Sequence, residues 1–278
     1  MTPIIDPHLH FFDLAQGQYQ WLRGSTPPPW PNLEKIIRDH SLIDLQLDSE
    51  FYLAGLVHIE AGFNNTRPDA ELYWLAEHIK TLPYQAIAYL DIAQDPTAFS
   101  MQLNLLKNAP GFIGIRDITE GHEAQKLLHP NTAINLSRLA ELNIIFEAQF
   151  ELEQTDVTKQ FSALCAQLNT LQVIINHSGF LRQNTNWQAG LHQMATCSNI
   201  AIKYSGQEHV TKPLSNTAQL AFLLDAFGPE RVMFASNYPV CLIRADYAKV
   251  WRQYYQLVDD TKLWERLSFT NAKRIYRL

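Results

Sequence analysis

The stretch Pro3-Ile4-Ile5-Asp6-Pro7-His8-Leu9-His10-Phe11 lies near the start of the sequence and decides how the rest is interpreted. Its apolar, partly β-branched beginning predicts a buried strand. Side chains alternate between the two faces of a strand, so Asp6, His8 and His10 are expected on the same face. Two imidazoles on one strand face can bind a single metal ion or a single substrate oxygen. We therefore expect a functional site at the end of this strand rather than solvated surface histidines.

The composition is that of an ordinary soluble globular protein with a large core: 46% of the 278 residues are hydrophobic and 18% are charged. The net charge is −6 and no basic run occurs, so neither nucleic acid nor an anionic membrane is expected as a partner. The cysteines are scattered without a CxxC pair, which favours a reducing compartment. No signal peptide or transmembrane window is recognisable, so we expect a cytoplasmic protein of open oligomeric state.

Short apolar runs alternate with segments of helical spacing along the whole chain. Continuous apolar runs are typical of strands that are buried on both faces. Eight such repeats predict a (β/α)8 TIM barrel that forms a single domain over residues 1–278. A doubly wound open sheet is the alternative, but no GxGxxG follows the first strand. Two helical segments and a tail are expected to close the chain. The strands after the first are predicted at residues 53–61, 84–92, 111–118, 144–150, 171–176, 199–205 and 231–235.

Polar side chains gather at the carboxyl ends of the predicted strands, where the sites of TIM barrels lie. Almost every strand ends in a group that can bind a metal, move a proton or hold an anion. For Lys203 an ordinary surface ion pair is the alternative, and for Glu147 and Asp91 it is capping or pairing at the barrel rim. The strand-end residues are Asp6, His8, His10, Glu60, Asp91, Arg116, Asp117, Glu147, Gln149, Asn176, His177, Lys203, Tyr204, Ser205, Ser236 and Asn237.

An aromatic loop at residues 14–32 follows the first strand and contains a run of three prolines. A long loop beside a site strand is expected to form a wall or lid, although any one aromatic could simply pack on the barrel surface. Its rings and several arginines indicate a small-molecule substrate that is anionic or polyhydroxylated. The residues concerned are Tyr19, Trp21, Trp30, Arg116, Arg182 and Arg244.

An ordered set of short segments, spread from end to end of the chain, carries a family resemblance. The segments are Asp6-Pro7-His8-Leu9-His10-Phe11, Tyr19-Gln20-Trp21-Leu22, Glu71 with Trp74-Leu75, Gly114-Ile115-Arg116, Asn176-His177-Ser178-Gly179, Lys203-Tyr204-Ser205-Gly206, Phe227-Gly228-Pro229-Glu230-Arg231, Ser236-Asn237-Tyr238-Pro239-Val240 and Asn271-Ala272-Lys273-Arg274-Ile275-Tyr276. Through them the chain resembles the amidohydrolase-related family of TIM-barrel hydrolases. Within that family it is similar to sugar lactonases and 2-pyrone-4,6-dicarboxylate lactonase.

The resemblance implies roles for particular residues. His8, His10 and His177 would contact the substrate carbonyl or bind one divalent ion such as Zn²⁺, which in this branch is often dispensable. Arg116 would hold a carboxylate or a lactone oxygen with its planar fork of donors. Tyr204 and Trp21 are expected as further substrate contacts.

Position 237 departs from the family pattern, because the eighth strand usually ends in an Asp that activates the hydrolytic water. An amide cannot take a proton from water near neutral pH. The base is then expected to be His177, Glu60 or another carboxylate, with Asn237 still part of the catalytic site. The fourth strand lacks a terminal Lys and the fifth lacks a His, which excludes the usual binuclear metal site.

Three functional hypotheses follow. The leading one is a lactonase that opens a small sugar-acid or pyrone-type lactone by attack of water at the barrel mouth. The second is a single-metal decarboxylase or C–C hydrolase of the same superfamily. The third is a non-catalytic barrel that keeps the pocket, and its direct support is Asn237. Fold-level analogy alone does not decide among them.

Overall fold

The computed structural model of the chain describes residues 1–180, 184–209 and 216–278. Eight parallel strands are hydrogen-bonded in sequence order to form a nearly closed ring, so the predicted TIM barrel is confirmed. The strands are β1 Thr2–Leu9, β2 Phe51–Ile59, β3 Tyr84–Tyr89, β4 Phe112–Ile118, β5 Ile145–Gln149, β6 Val173–Ile175, β7 Ile200–Tyr204 and β8 Val232–Phe234.

The seam between β1 and β8 closes the ring through the segments that follow the two strands. The backbone N–H of His10 donates to the carbonyl of Tyr238 at 2.7 Å, and the N–H of Asn237 donates to the carbonyl of His8 at 2.9 Å. Oδ1 of Asp6 adds to the seam, since it accepts from the backbone N–H of Ser236 at 3.1 Å and from that of His8 at 3.2 Å. Asp6 therefore joins strands instead of pointing into the pocket. The pairing of β1 with β2 shifts register between Asp6 and Leu9, so the strict alternation expected there does not hold.

Helices follow the strands on the outside of the barrel, with short 3-10 turns between several of them. One of these helices, the short helix Gln20–Arg23, lies inside the segment that was predicted as an aromatic loop at residues 14–32, so that segment is not entirely irregular. The predicted tail is also wrong, because it contains a further helix that packs against the barrel. The helices are α1 Gln20–Arg23, α2 Pro68–His78, α3 Pro96–Leu106, α4 Pro130–Glu141, α5 Thr155–Gln167, α6 Thr185–Ala195, α7 Asn216–Phe227, α8 Tyr247–Tyr255, α9 Thr261–Glu265 and α10 Asn271–Tyr276.

The inside of the barrel has an apolar lower layer and a polar upper layer. Strand β5 illustrates this, because Ile145 lies in the inner apolar cluster while Phe146 and Ala148 pack outward against the helices. The next inward positions, Glu147 and Gln149, carry polar groups. Period-two alternation thus places the apolar residues of each strand below its functional residues.

Helix α10 closes the lower end of the barrel. Its residues Ala272, Ile275 and Tyr276 belong to the same inner cluster as Ile5 and Met233 of the strands. The barrel therefore opens toward solvent at its carboxyl end. In the part of the chain that the structure describes, no helix has the length and apolarity needed to cross a membrane.

Candidate active site

Three histidines converge at the carboxyl end of the barrel, in agreement with their place in the sequence prediction. The ring centroid of His8 lies 5.1 Å from that of His10 and 4.6 Å from that of His177. All three are almost completely buried, and burial holds the pKa of each well below its usual range. The site therefore contains neutral imidazoles, each able to donate from one nitrogen and accept at the other.

Hydrogen bonds fix how these rings are oriented. Nδ1 of His10 lies 2.8 Å from the carbonyl oxygen of Ile59. A carbonyl only accepts, so this Nδ1 carries the proton of the neutral ring and Nε2 keeps its lone pair. Nδ1 of His177 lies 3.0 Å from Oγ of Ser205, which can serve as either donor or acceptor. His177 has a left-handed backbone (φ 51°) and begins the short turn that follows β6.

A buried polar chain lies beneath His8. Nζ of Lys203 is 3.3 Å from Nδ1 of His8 and 2.5 Å from Oε2 of Glu147. The other carboxylate oxygen of Glu147 accepts from the hydroxyl of Tyr276 at 2.6 Å. Lys203 and Glu147 have no solvent exposure at all, so the alternative of a surface ion pair for Lys203 is wrong. This chain connects α10 at the bottom of the barrel to the site at the top.

The contact with Lys203 determines which nitrogen of His8 carries the proton. Burial lowers the pKa of Lys203 to about 8, so at neutral pH the side chain is an ammonium that can only donate. Nδ1 of His8 must then accept, and the proton of the neutral ring lies on Nε2. Among the described residues that Nε2 has no hydrogen-bond partner although it is buried. An unpaired buried N–H donor is costly, and at an active site it indicates a ligand that accepts from it.

The proton on His8 Nε2 also affects whether the three histidines can bind the metal ion that the family resemblance allows. A metal ligand needs the lone pair of Nε2, whereas Lys203 leaves a proton there. Within residues 1–180, 184–209 and 216–278, no three His, Cys, Asp or Glu side chains are grouped to hold a metal ion. His8, His10 and His177 as arranged therefore do not fit a three-histidine metal centre.

Arg116 is held by neighbours on adjacent strands. Its Nε donates to Oε1 of Glu60 and its Nη2 to the carbonyl oxygen of Glu60, both at 2.8 Å. Nη1 donates to Oε1 of Gln149, also at 2.8 Å. Burial raises the pKa of Glu60, and the Arg116 charge opposes that rise. Glu60 thus serves first as the counter-ion of Arg116, and the three hydrogen bonds hold the guanidinium at the cavity lining.

A second carboxylate lies at the end of β8 and was not among the candidates from the sequence. Nδ2 of Asn237 donates a short hydrogen bond to Oε1 of Glu208, which comes from the 3-10 turn Gln207–His209 after β7. Burial raises the pKa of Glu208 to about 7. The sequence did show a Glu just after the Lys203–Gly206 motif. The direction of its side chain, however, is set by the turn Gln207–His209, which the sequence pattern does not specify.

An open cavity of about 700 Å³ lies above these groups. Trp21 and Trp30 from the loop after β1 form one wall, with ring centroids 5.9 Å apart, and Trp30 also contacts His209 at 4.7 Å. Nε1 of Trp21 donates to the carbonyl of Ala61 at 2.8 Å, which fixes that ring. The loop therefore lies over the site, as its position in the sequence predicts. The polar part of the lining comprises Glu60, Asn65, Arg116, Asp117, Glu120, Lys126, Gln149, His177, His209 and Asn237.

Tyr204 is the predicted substrate contact that the structure does not bring to the cavity. On β7 the inward positions are Lys203 and Ser205, so Tyr204 points to the helices. Its ring packs at 5.6 Å from Phe234, and its hydroxyl donates to the carbonyl of Asn216. The prediction that Tyr204 lies at the end of a strand is confirmed. Because side chains alternate between the two faces of β7, however, its ring points away from the cavity. Of the arginines considered for the substrate, Arg182 lies outside the described residues.

The buried Asp117 carboxylate predicts a pH dependence of stability. Burial raises its pKa to about 7 although Lys126 Nζ is 3.7 Å away. The native state then binds a proton that the unfolded chain has released, so stability falls as pH rises toward 7. Asp117→Asn lacks this penalty. We expect its stability relative to wild type to increase by up to about 4 kcal/mol between about pH 4 and about pH 8.

Urea unfolding at both pH values measures this difference. Asp260→Asn is the control, since Asp260 is exposed and the hydrogen bonds that it accepts at the start of α9 lower its pKa. Its relative stability should change in the opposite direction, because an ionised Asp260 stabilises the native state. A pH-independent effect of Asp117→Asn would contradict the assignment.

Comparison with known proteins agrees with this fold. A sequence model of the amidohydrolase family matches residues 5–278. The uncharacterized protein y4mH of Sinorhizobium fredii is 25% identical over 302 residues, covering 99% of this chain and 98% of that protein. An L-fucono-1,5-lactonase of Burkholderia multivorans is 34% identical over 121 residues, or 36% of this chain and 39% of that enzyme. The crystal structure of a B. multivorans amidohydrolase with bound zinc has a TM-score of 0.79 at 20% identity and covers 99% of both chains. Since the family match spans nearly the whole sequence, the chain belongs to the amidohydrolase family of hydrolases.

Proposed function

We propose that the protein is a lactonase that hydrolyses a small, polyhydroxylated cyclic ester. The observation that carries the proposal is the buried Nε2–H of His8, which has no acceptor among the described residues and lies beside His177. A preorganised donor of this kind stabilises the oxyanion that forms when water attacks an ester carbonyl. Lys203 fixes the orientation of the His8 ring, which packs against His177 of the cavity lining without lining the cavity itself.

The charges of the cavity support a neutral substrate over an anionic one. Among the described residues, the cationic lining groups are Arg116 and Lys126, which are engaged by Glu60 and Asp117. A further carboxyl, Glu120, lies on the same lining and accepts from Gln149 at 2.7 Å. A dicarboxylate would meet more acidic than basic groups here, whereas hydroxyl groups can pair with either. The rings of Trp21 and Trp30 offer an apolar wall for one face of a sugar ring.

The similarity to an L-fucono-1,5-lactonase over part of the chain supports the same reaction class. A zinc-dependent decarboxylase or C–C hydrolase receives less support. A zinc ligand needs the lone pair of His8 Nε2, and the contact with Lys203 assigns a proton to that nitrogen. We accordingly propose a small-molecule substrate and a reaction that does not require a metal ion. A non-catalytic barrel that keeps the pocket is the remaining alternative, and activity measurements distinguish it from a lactonase.

Acid release from a panel of lactones, followed with a pH indicator, tests the proposal. The panel contains neutral five- and six-membered aldonolactones, the dicarboxylated pyrone lactone and an aliphatic lactone without hydroxyl groups. We expect hydrolysis of at least one neutral aldonolactone well above the spontaneous rate and little activity on the charged pyrone. His177→Ala is the matched inactive variant. A folded wild-type protein without activity on every lactone would contradict the proposal, and activity lost on chelation would contradict its metal independence.

A further inference from the structure

The end of β8 carries an amide, yet a carboxylate lies directly against it. Asn237 has a left-handed backbone (φ 57°) and its side chain borders the cavity. Its Nδ2 donates to Oε1 of Glu208, as described above. An amide cannot accept a proton from water near neutral pH, whereas a carboxylate can. The arrangement therefore places an acid–base group beside the position from which a base would act.

The surroundings of Glu208 fix its position and keep it nearly free of solvent. Its backbone carbonyl accepts from Nε of Arg244, which joins the turn after β7 to the turn after β8. The side chain is 7% exposed, and Oε1 lies 3.8 Å from Nε2 of His209. Among the described residues, the other titratable groups that interact with it are Arg244, the buried thiol of Cys241 and the buried Tyr254. Burial lowers the pKa of His209 to about 4, so near neutral pH that ring does not neutralise the carboxylate.

The other candidates for the base, Glu60 and His177, each have one polar atom committed to a neighbouring residue. Oε1 of Glu60 accepts from Nε of Arg116 at 2.8 Å and lies 2.7 Å from Nη2, so the guanidinium occupies its lone pairs. Nδ1 of His177 is bonded to Ser205, and burial holds the pKa of this ring well below its usual range. Glu60 is therefore better suited to hold Arg116, and His177 to contact the substrate, than to remove a proton.

We propose that Glu208 is the general base of the reaction and that Asn237 holds its carboxylate beside the attacking water. The inference rests on the proposed lactonase function. Water adds to the lactone carbonyl carbon, its proton passes to Glu208, and the carbonyl electron pair moves to the oxygen that accepts from His8 Nε2–H. The oxyanion then collapses, the ring C–O bond breaks, and Glu208 returns the proton to the leaving alkoxide. The product is an open-chain hydroxy acid, and no other reactant is needed.

Glu208→Gln tests this assignment on a lactone that wild type hydrolyses. The amide oxygen can still accept from Asn237, so packing is preserved while the base is removed. We expect kcat to fall by roughly 10²- to 10⁴-fold with little change in KM, and the acidic limb of the wild-type pH profile to disappear. Glu71→Gln is the control, because Glu71 is a buried carboxylate away from the cavity that accepts from the Ala61 N–H. It should keep both rate and pH profile.

Two further variants separate chemistry from folding. Asn237→Asp in the Glu208→Gln background returns a carboxylate to the end of β8, and at least a tenfold recovery of kcat is expected. Glu208→Asp should retain more activity than Glu208→Gln although it changes side-chain length, and thermal unfolding shows whether each variant is folded. A Glu208→Gln enzyme with the wild-type rate and pH profile would overturn the role of Glu208 while leaving the lactonase function intact. A wild type inactive on all lactones would overturn both.

Discussion

Replacing Lys203 with methionine is expected to lower the free energy of unfolding by about 3–5 kcal/mol. Lys203 Nζ lies 2.5 Å from Oε2 of Glu147, and neither side chain has any exposed surface. Without the ammonium, the one partner that the described residues leave to the buried Glu147 carboxylate is the hydroxyl of Tyr276. Desolvation of that charge is then no longer offset, and this loss exceeds the change in packing.

Chemical denaturation of wild type and variant measures this loss, and two comparisons identify its origin. Lys203→Met combined with Glu147→Gln removes both charges and is expected to recover most of the stability, as coupling within a pair requires. Arg138→Met breaks an exposed pair in which Nη1 lies 2.7 Å from Oε2 of Glu141, and should cost no more than about 1 kcal/mol. Equal losses for Lys203→Met and Arg138→Met would show that burial does not control the energy of the Lys203 pair.

The second large effect is expected from His8→Phe, which should lower kcat by roughly 10²- to 10³-fold with a much smaller change in KM. Phenylalanine keeps a flat ring against His10 and His177 but has no N–H at the Nε2 position. Stabilisation by this donor develops with the oxyanion, so its removal affects the transition state more than substrate binding. Steady-state kinetics on the best lactone of the panel separates the two parameters.

The same substitution at His122 is the control, because that ring is 93% exposed and belongs to the turn after β4. It should leave kcat and KM unchanged. Metal content, measured on protein purified without chelators, adds an independent readout. Stoichiometric zinc in wild type that disappears in His8→Phe would contradict the proton assignment at Nε2. Low metal content in wild type and in His8→Phe would agree with a hydrogen-bond donor at His8 Nε2. The loss of kcat should then occur in His8→Phe and not in the His122 variant.

The sequence predicted the barrel well because the signals for that fold are local. Each strand is a short apolar run, and the carboxyl ends of parallel strands must share one end of a barrel, so His8, Arg116, His177 and Asn237 could be placed together. The direction of a strand side chain is also local in principle. The alternation that sends Lys203 inward and Tyr204 outward follows from period two, once the register of β7 is known.

The properties that control chemistry at the site depend on contacts between distant segments and could not be predicted in this way. The proton position on His8 depends on Lys203, which is 195 residues away in sequence. Glu208 faces Asn237 because of the turn after β7, and no periodic pattern specifies that turn. Similarly, the segment that was predicted as a tail contains helix α10, whose Tyr276 contacts Glu147 across 129 residues of sequence.

The polar chain from α10 to His8 has a consequence for biosynthesis. β1 precedes β8, its neighbour in the ring, as well as Lys203 and Tyr276, so the His8 strand leaves the ribosome long before them. Until those segments follow, β1 has an unpaired edge, and Glu147 has neither of its partners. Such non-local pairings form slowly and leave nascent chains prone to aggregation. We expect ribosome-bound chains that stop before α10 to depend on chaperones and to acquire a competent pocket only after that helix has docked.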